Sequence, residues 1–367
     1  MLSKADNELL TRVGPGTGMG NLLRCFWQPF ALSSELPEPG GEPKAVRLLG
    51  EDLVARRAED GTVHLSPYQA REAGGVIWAH LGSPASDLPQ LEWTLVPDRH
   101  RYVSKRIQFC NFLQNVEGEV DSSHVSFLHS RNDPTAVQEG RGGEFDYMAR
   151  DRAPRFFVLP TPYGLMISAR RDADPDSYYW RITQFLMPTY TMIPATPGGP
   201  VSFTAAVPID DERMMGFTVT WHPDRPLSDE ERAAIESWQG VHTEVDPRTF
   251  IPLRNKDNNY LLDRALQRSG RSYTGIRGIR EEDLAVQESM GVIFDRTIEH
   301  LGSSDLGVIA TRRRLLDAVN VLAEQHQLPY EAQHPESYRV RSAAVVLPRH
   351  IPWHDGAADA MLVGRIS

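Results

Sequence analysis

Cysteine is nearly missing from this chain: Cys25 and Cys110 are the only two in 367 residues. Two cysteines cannot make a disulfide framework, and the reducing cytoplasm is the expected compartment. No apolar run has the length that crosses a bilayer, so no membrane partner is expected. The opening residues, MLSKADNELLTRV, lack the apolar core of a secretory signal. A surplus of positive charge is also lacking. The 39 Lys and Arg stand against 49 Asp and Glu, a net charge of −10, which argues against nucleic acid or an anionic membrane as the main partner. No G-x-G-x-x-G follows a strand, and neither G-x-S-x-G nor a Walker loop occurs, so nucleotide and serine-hydrolase chemistry find no support. Repeats and low-complexity tracts are absent. What remains is ordinary globular material, 40% hydrophobic and 24% charged, long enough to bury a large core and to hold two domains.

The chemistry gathers in one stretch, Asn111 to His129, which reads NFLQNVEGEVDSSHVSFLH. It sets Asp121, His124 and His129 in the order D-x2-H-x4-H. Neutral imidazole is the commonest side-chain donor to a transition metal, so the two histidines are candidate ligands. Helix geometry puts Asp121 and His124 on one face and points His129 away. Both histidines therefore reach one ion only if the helix is distorted or ends between them. On the residues alone, a ligand pair and two surface or core-edge histidines are both open. His350 and His354 make a second pair, but Pro352 between them breaks a helical i,i+4 arrangement, and they are not read as a metal site. His64 and His80 fall in strand-like stretches and are assigned to ordinary packing.

Along the chain, residues 3–12 and 18–28 read as short helices, and the Pro- and Gly-rich ELPEPGGEP (35–43) as a loop. AVRLLGEDLVARRAEDGTVHL (45–65) reads as hairpin strands and GGVIWAHLG (74–82) as a short buried strand. Residues 82–100 look like a linker. RYVSKRIQF then forms a strand entering the motif helix. A hairpin at 155–172 turns at Tyr163-Gly164, and strands follow at 177–193 and 213–222. Helices are predicted at 228–239, 258–268, 281–300 and 303–326, the last with Arg312, Arg313 and Arg314 on a solvated face. The end of the chain reads as a packed tail. Asp283, in Glu281-Glu282-Asp283-Leu284, sits in a first helical turn, where an acid complements the dipole. Arg181, in Tyr179-Trp180-Arg181-Ile182-Thr183, is either an exposed strand arginine or a cavity residue able to pair with a substrate carboxylate.

The motif with its flanks resembles the mononuclear iron site of Rieske non-haem iron ring-hydroxylating oxygenase α subunits, in particular the phthalate 4,5-dioxygenase-like branch. MLSKADNELLTRVGPGTGMGNLLRCFWQPF, LEWTLVPDRHRYVSKRIQFCNFLQ, DSSHVSFLH, NKDNNYLLDR, EEDLAVQESMG and RTIEHLGSSD all share that branch's character. The resemblance implies an α+β fold. It would comprise a small β-rich N-terminal unit (1–100), a helix-grip catalytic domain (101–330), in which helices wrap an antiparallel sheet, and a packed tail (331–367). It implies Fe(II) held by His124, His129 and Asp283, with Asp121 either relaying electrons or orienting His124. It also implies an aromatic substrate, a homotrimer or pair of trimers, and a ferredoxin or reductase as electron source.

One departure stands out. A Rieske [2Fe–2S] centre takes two Cys and two His, in this family as a C-x-H and a C-x2-H pair. Cys25 is followed by Phe26-Trp27 and Cys110 by Asn111-Phe112, so neither pair exists, and SPYQAREA (66–73) spans the place of the cluster segment. No [2Fe–2S] cluster is therefore expected in this chain. Three functions follow as expectations. The first is an oxygenase fed by a separate Rieske or ferredoxin protein. The second is a redox-neutral iron hydrolase, lyase or isomerase using the metal as a Lewis acid. The third is a non-catalytic partner of an intact oxygenase.

Overall fold

The computed structural model describes residues 1–82, 86–130, 144–194 and 198–364. Two short helices open the chain, α1 (Lys4–Thr11) and α2 (Gly18–Arg24), each started by a hydroxyl cap from Ser3 or Thr17. The predicted continuation of the second helix to residue 28 does not occur. Gln28 Nε2 donates to the Leu23 carbonyl and Pro29 cannot extend a helix, so the chain passes into β1 (Trp27–Leu32). β2 (Lys44–Leu48), β3 (Glu51–Arg57) and β4 (Val63–Ser66) form a three-stranded antiparallel sheet, as the alternation at 45–65 predicts. β5 (Gln69–Ala73) and β6 (Val76–His80) join β1 in a second one, order β1-β6-β5. The stretch read as a linker carries a short helix, α3 (Glu92–Leu95), whose Trp93 is buried on Trp78. Residues 83–85 of that stretch lie outside the described residues.

The larger sheet begins with β7 (Arg101–Gln108) and runs into α4 (Phe112–Val120) and α5 (Glu144–Arg150). It is completed by β8 (Arg155–Thr161), β9 (Gly164–Asp172), β10 (Ser177–Leu186), β11 (Tyr190–Ile193), β12 (Val201–Pro208) and β13 (Met214–Trp221). The order is β7-β13-β12-β11-β10-β9-β8, antiparallel throughout, and β14 (Ala343–Pro348) pairs with the first half of β10. The β8–β9 hairpin turns at Tyr163-Gly164 as predicted, Gly164 supplying a φ of 140°. β12 was not singled out in the sequence.

The helices that follow are α6 (Asp229–Glu236), α7 (Arg264–Arg268), α8 (Ile279–Ser289) and α9 (Leu306–Gln325). Three of the predictions here need correction. The helix expected at 281–300 stops at Ser289, because Gly291 turns left-handed (φ 94°) and the Gln114 amide takes up the freed carbonyls of Gln287 and Gly291. The helix expected at 258–268 breaks at Asn259 to Leu261, which adopt positive φ while the Tyr260 hydroxyl bonds Glu288. Arg312 is not solvated. It lies on the same face of α9 as Val308, Leu315 and Val319 and is 4% exposed, paired with Glu117 and Glu299. Arg313 alone of the three is exposed.

The sheet separates two surroundings. On β7, Lys105 points to the N-terminal sheets, donating to Phe30 O and Glu35, whereas Gln108 on the opposite face donates to Gln287 of α8 at 2.6 Å. An antiparallel sheet is thus gripped by helices, with α4 and α8 stacked on the face away from the small sheets.

Candidate metal centre

α4 carries polar residues at buried positions because they face another helix. Asn111 caps it and also donates to Thr11 O and Asp211 O, which fixes its origin. The helix ends at Val120. There Asp121 turns extended (φ −88°, ψ 109°), and its carboxylate accepts from the backbone N–H of Ser123 (2.7 Å) and His124 (3.1 Å). This aspartate turn seeds a single 3₁₀ turn, His124–Ser126, and the N–H groups of Phe127 and Leu128 both return to the His124 carbonyl. Arg171 of β9 braces the turn from below, donating to Ser122 O and Ser126 Oγ. The chain is thereby bent so that His129 comes back over His124, ring centroids 5.1 Å apart and nearly perpendicular. The sequence leads one to expect a helix distorted or ending between the histidines; α4 instead ends at Val120, before both, and the separate 3₁₀ turn His124–Ser126 makes the bend between them.

α8 brings the third group. Asp283 Oδ1 lies 3.1 Å from His129 Nε2 and 3.6 Å from His124 Nε2. One donor atom from each of the three side chains falls within 4.8 Å of the others. Behind each imidazole sits a carboxylate. Glu282 Oε2 is 2.7 Å from His129 Nδ1, and Asp121 Oδ2 is 3.3 Å from His124 Nδ1, near enough to attract the ring but not aligned as a full hydrogen bond. Glu282 is itself held by the Thr274 hydroxyl. Both rings therefore turn Nε2 toward Asp283. Two imidazole nitrogens and one carboxylate oxygen, with Nδ1 of each ring backed by an acid, form the donor set of a non-haem Fe(II) facial triad. The residues fit that ion.

Electrostatics agree with a site built for a cation. Burial opposes charge on His129, but Asp283 and Glu282 outweigh it and push the imidazole up to about 9. Burial likewise works against the Asp283 carboxylate, yet His129, Arg280 and His124 hold it well below the usual range. Asp121 is lowered by His124 and by the backbone N–H groups it caps, against its burial. The site is uneven in access: the His129 and Asp283 side chains are 6% and 12% exposed, those of His124 and Asp121 25% and 22%.

Arg181 is not part of this cluster. It stands half-buried on β10, on the same sheet face as Arg171, with its Nε buried and unpaired among the described residues. His350 and His354 are exposed, and His80 is buried against the carbonyls of Gly82 and Cys25. Sequence reasoning missed Glu282, Arg280 and Glu119. Only the adjacency of Glu282 to Asp283 in the sequence could have drawn attention to it.

Residues 80–364 match the family model described as LigXa C-terminal domain like. The chain is 30% identical to the 3-chlorobenzoate-3,4-dioxygenase oxygenase subunit of Comamonas testosteroni, over 95% of this chain and 96% of that one. The chain belongs to the ring-hydroxylating oxygenase α subunits. Within this family it is also 30% identical to the phthalate 4,5-dioxygenase oxygenase subunit of Pseudomonas putida, covering 97% of this chain and 94% of the relative. The 5,5'-dehydrodivanillate O-demethylase oxygenase subunit of a Sphingobium strain is 27% identical over 86% of this chain and 80% of its own. Among solved structures, dicamba monooxygenase superposes with a TM-score of 0.53 at 13% identity, over 82% of this chain and 98% of that one, a likeness of fold. The expected α+β, helix-grip class and the assignment to the oxidoreductases stand on these matches.

Proposed function

We propose that this oxygenase subunit binds one Fe(II) through His124, His129 and Asp283, that it carries no [2Fe–2S] cluster, and that it takes its electrons from a separate protein. The observation that carries the iron site is the convergence of His124 Nε2, His129 Nε2 and Asp283 Oδ1 from two segments about 155 residues apart. Bound iron supplies the redox centre at which dioxygen is reduced. The chain's residues hold that centre, turn both imidazoles through Asp121 and Glu282, and keep water from the His129 side. Three observations support the missing cluster. Neither cysteine stands in a C-x-H or C-x2-H pair. β4 reaches β5 through a tight turn in which Tyr68 N–H donates to Leu65 O. The alignment with the Comamonas relative spans 425 positions, more than this chain's 367 residues, so that relative carries residues this one lacks.

Hydroxylation places one oxygen atom into a C–H bond and releases the other as water, which takes two electrons and two protons from a reductant. O-demethylation by hydroxylating a methyl carbon has the same balance. A ferredoxin or Rieske protein acting as donor closes it. The relatives' names point to aromatic substrates, and the unpaired Nε of Arg181 suits a substrate carboxylate. A homo-oligomer, trimer or pair of trimers, and a cytoplasmic location complete the reading; no helix among the described residues is long and apolar enough to cross a membrane.

The test is product analysis on aromatic acids and aryl ethers after anaerobic Fe(II) loading, with oxygen plus reductant, with peroxide, and with neither. Hydroxylated or demethylated product only in the first two arms supports the proposal. Product formed with neither would overturn it in favour of redox-neutral Lewis-acid chemistry.

A further inference from the structure

The two helices that deliver the metal-binding groups meet through one charged contact at the end nearest the site. Arg280, in the first turn of α8, is 2% exposed. Its Nη1 donates to Glu119 in the last turn of α4 and also lies 3.4 Å from Asp283 Oδ2. Its Nε donates to the Val241 carbonyl. Glu119 stands two residues before Asp121, where the histidine turn begins, and Arg280 three before Asp283. A single guanidinium thus ties the segment carrying His124 and His129 to the segment carrying Asp283.

The two oxygens of Asp283 have separate neighbours. Oδ1 faces both imidazole Nε2 atoms, while Oδ2 faces Arg280. We propose that Arg280, anchored by Glu119, is a positioning residue that reserves Oδ2, restricts Asp283 to offering one oxygen, and sets the spacing between the carboxylate and the two histidines. This rests on the reading of His124, His129 and Asp283 as iron ligands. The consequence is chemical: a carboxylate free to turn presents two oxygens and occupies one more position at the ion, a position otherwise open to oxygen or water. At the far end of the same helix pair, Gln287 accepts from Gln108 and Asn115, so the interface is fixed there without Arg280. Removing the guanidinium therefore loosens the metal end selectively. Lysine in its place keeps the charge, but it has no second nitrogen for the Val241 carbonyl, the bond that holds the guanidinium in place while Nη1 serves both Glu119 and Asp283.

The experiment compares wild type and Arg280→Lys by metal-free melting temperature, by Fe(II) affinity, and by the visible absorption of the Co(II)-loaded protein, whose intensity falls as coordination number rises. The expected result for Arg280→Lys is a folded protein with metal bound about 10–100-fold more weakly and a weaker Co(II) band. A folded Arg280→Lys protein with unchanged affinity and band would overturn the proposal while leaving the ligand reading intact. A wild type that binds neither metal overturns the ligand reading and this proposal with it. If Arg280→Lys does not fold, Glu119→Gln, which keeps the size and an acceptor but not the charge, is read by the same two measurements: a weakened affinity and band support the positioning role, and unchanged ones overturn it.

Discussion

Three consecutive acids on α8 meet three different fates. Glu281 is fully buried with neither oxygen hydrogen-bonded among the described residues, and burial pushes its carboxyl up to about 7. Glu282 holds His129 Nδ1, and Asp283 faces the imidazole nitrogens. Ala at His124 or His129 should abolish iron binding with the fold largely kept, since an open site contributes less to folding than a closed structural one. Iron content retained in full by both variants would refute the ligand set. His129 also gives a pH dependence whose sign can be worked out. Its folded value of about 9 lies above the ordinary 6.5, so in metal-free protein its contribution to stability is complete below 6.5 and is lost as pH climbs through about 9. Iron must displace the same proton, so affinity should rise over that window while metal-free stability falls. Glu282→Gln removes one of the two carboxylates holding the proton and should move both transitions to lower pH. Paired titrations of melting temperature and iron affinity that leave both transitions in place would contradict this. The sequence made the histidines and Asp283 legible through their resemblance to a known site. Glu282 was hidden because its role depends on which side of α8 the histidine turn comes to rest.

Between secondary elements, charge proves harder to read than hydrophobicity. The hairpin at Tyr163-Gly164 and the strand at 213–222 follow from alternation and turn chemistry, which are local, and the structure has both. Helix ends that depend on partners were misjudged: α8 stops where the Gln114 amide, far away in sequence, takes the carbonyl of Gln287 in its last turn and that of Gly291 just beyond it. Arg312 failed for a related reason. Its position on the buried face of α9 was visible in the i, i+3, i+4 pattern, but the carboxylates that make burial tolerable, Glu117 and Glu299, come from elsewhere. Glu117 bonds Arg296 and Arg312 at once, tying α4 to α9 and to the segment after α8. Glu117→Ala leaves two buried cations short of a partner and should cost about 3–5 kcal/mol in denaturant unfolding. The exposed Arg313→Ala should stay within about 0.5 kcal/mol. Equal effects for the two would show that the buried network contributes nothing special.

For the molecule as a whole the governing problem is how electrons arrive. Purified protein should hold about one iron per chain and no acid-labile sulfide, and two sulfides per folded chain would refute the cluster-free reading. Electrons supplied from outside need an approach, and among the described residues of the site one edge is the more open. His129 and Asp283 are enclosed, whereas His124 and Asp121 form the more open edge. Asp121 is placed to serve there, with its carboxylate 3.3 Å from His124 Nδ1 and fixed by two backbone N–H groups. If a partner's redox group delivers electrons through this edge, Asp121→Asn should cut reductant-driven turnover far more than a peroxide-driven reaction, which needs no electron transfer. Asparagine keeps an acceptor for the turn, so the geometry of His124 is largely preserved and the comparison isolates the charge. If Asp121 only orients the imidazole, both reactions should fall together, by roughly 10–100-fold, the usual scale for a group acting behind a ligand. Parallel losses in the two assays would remove the relay role from Asp121. They would also place the entry of electrons on some other face of the subunit.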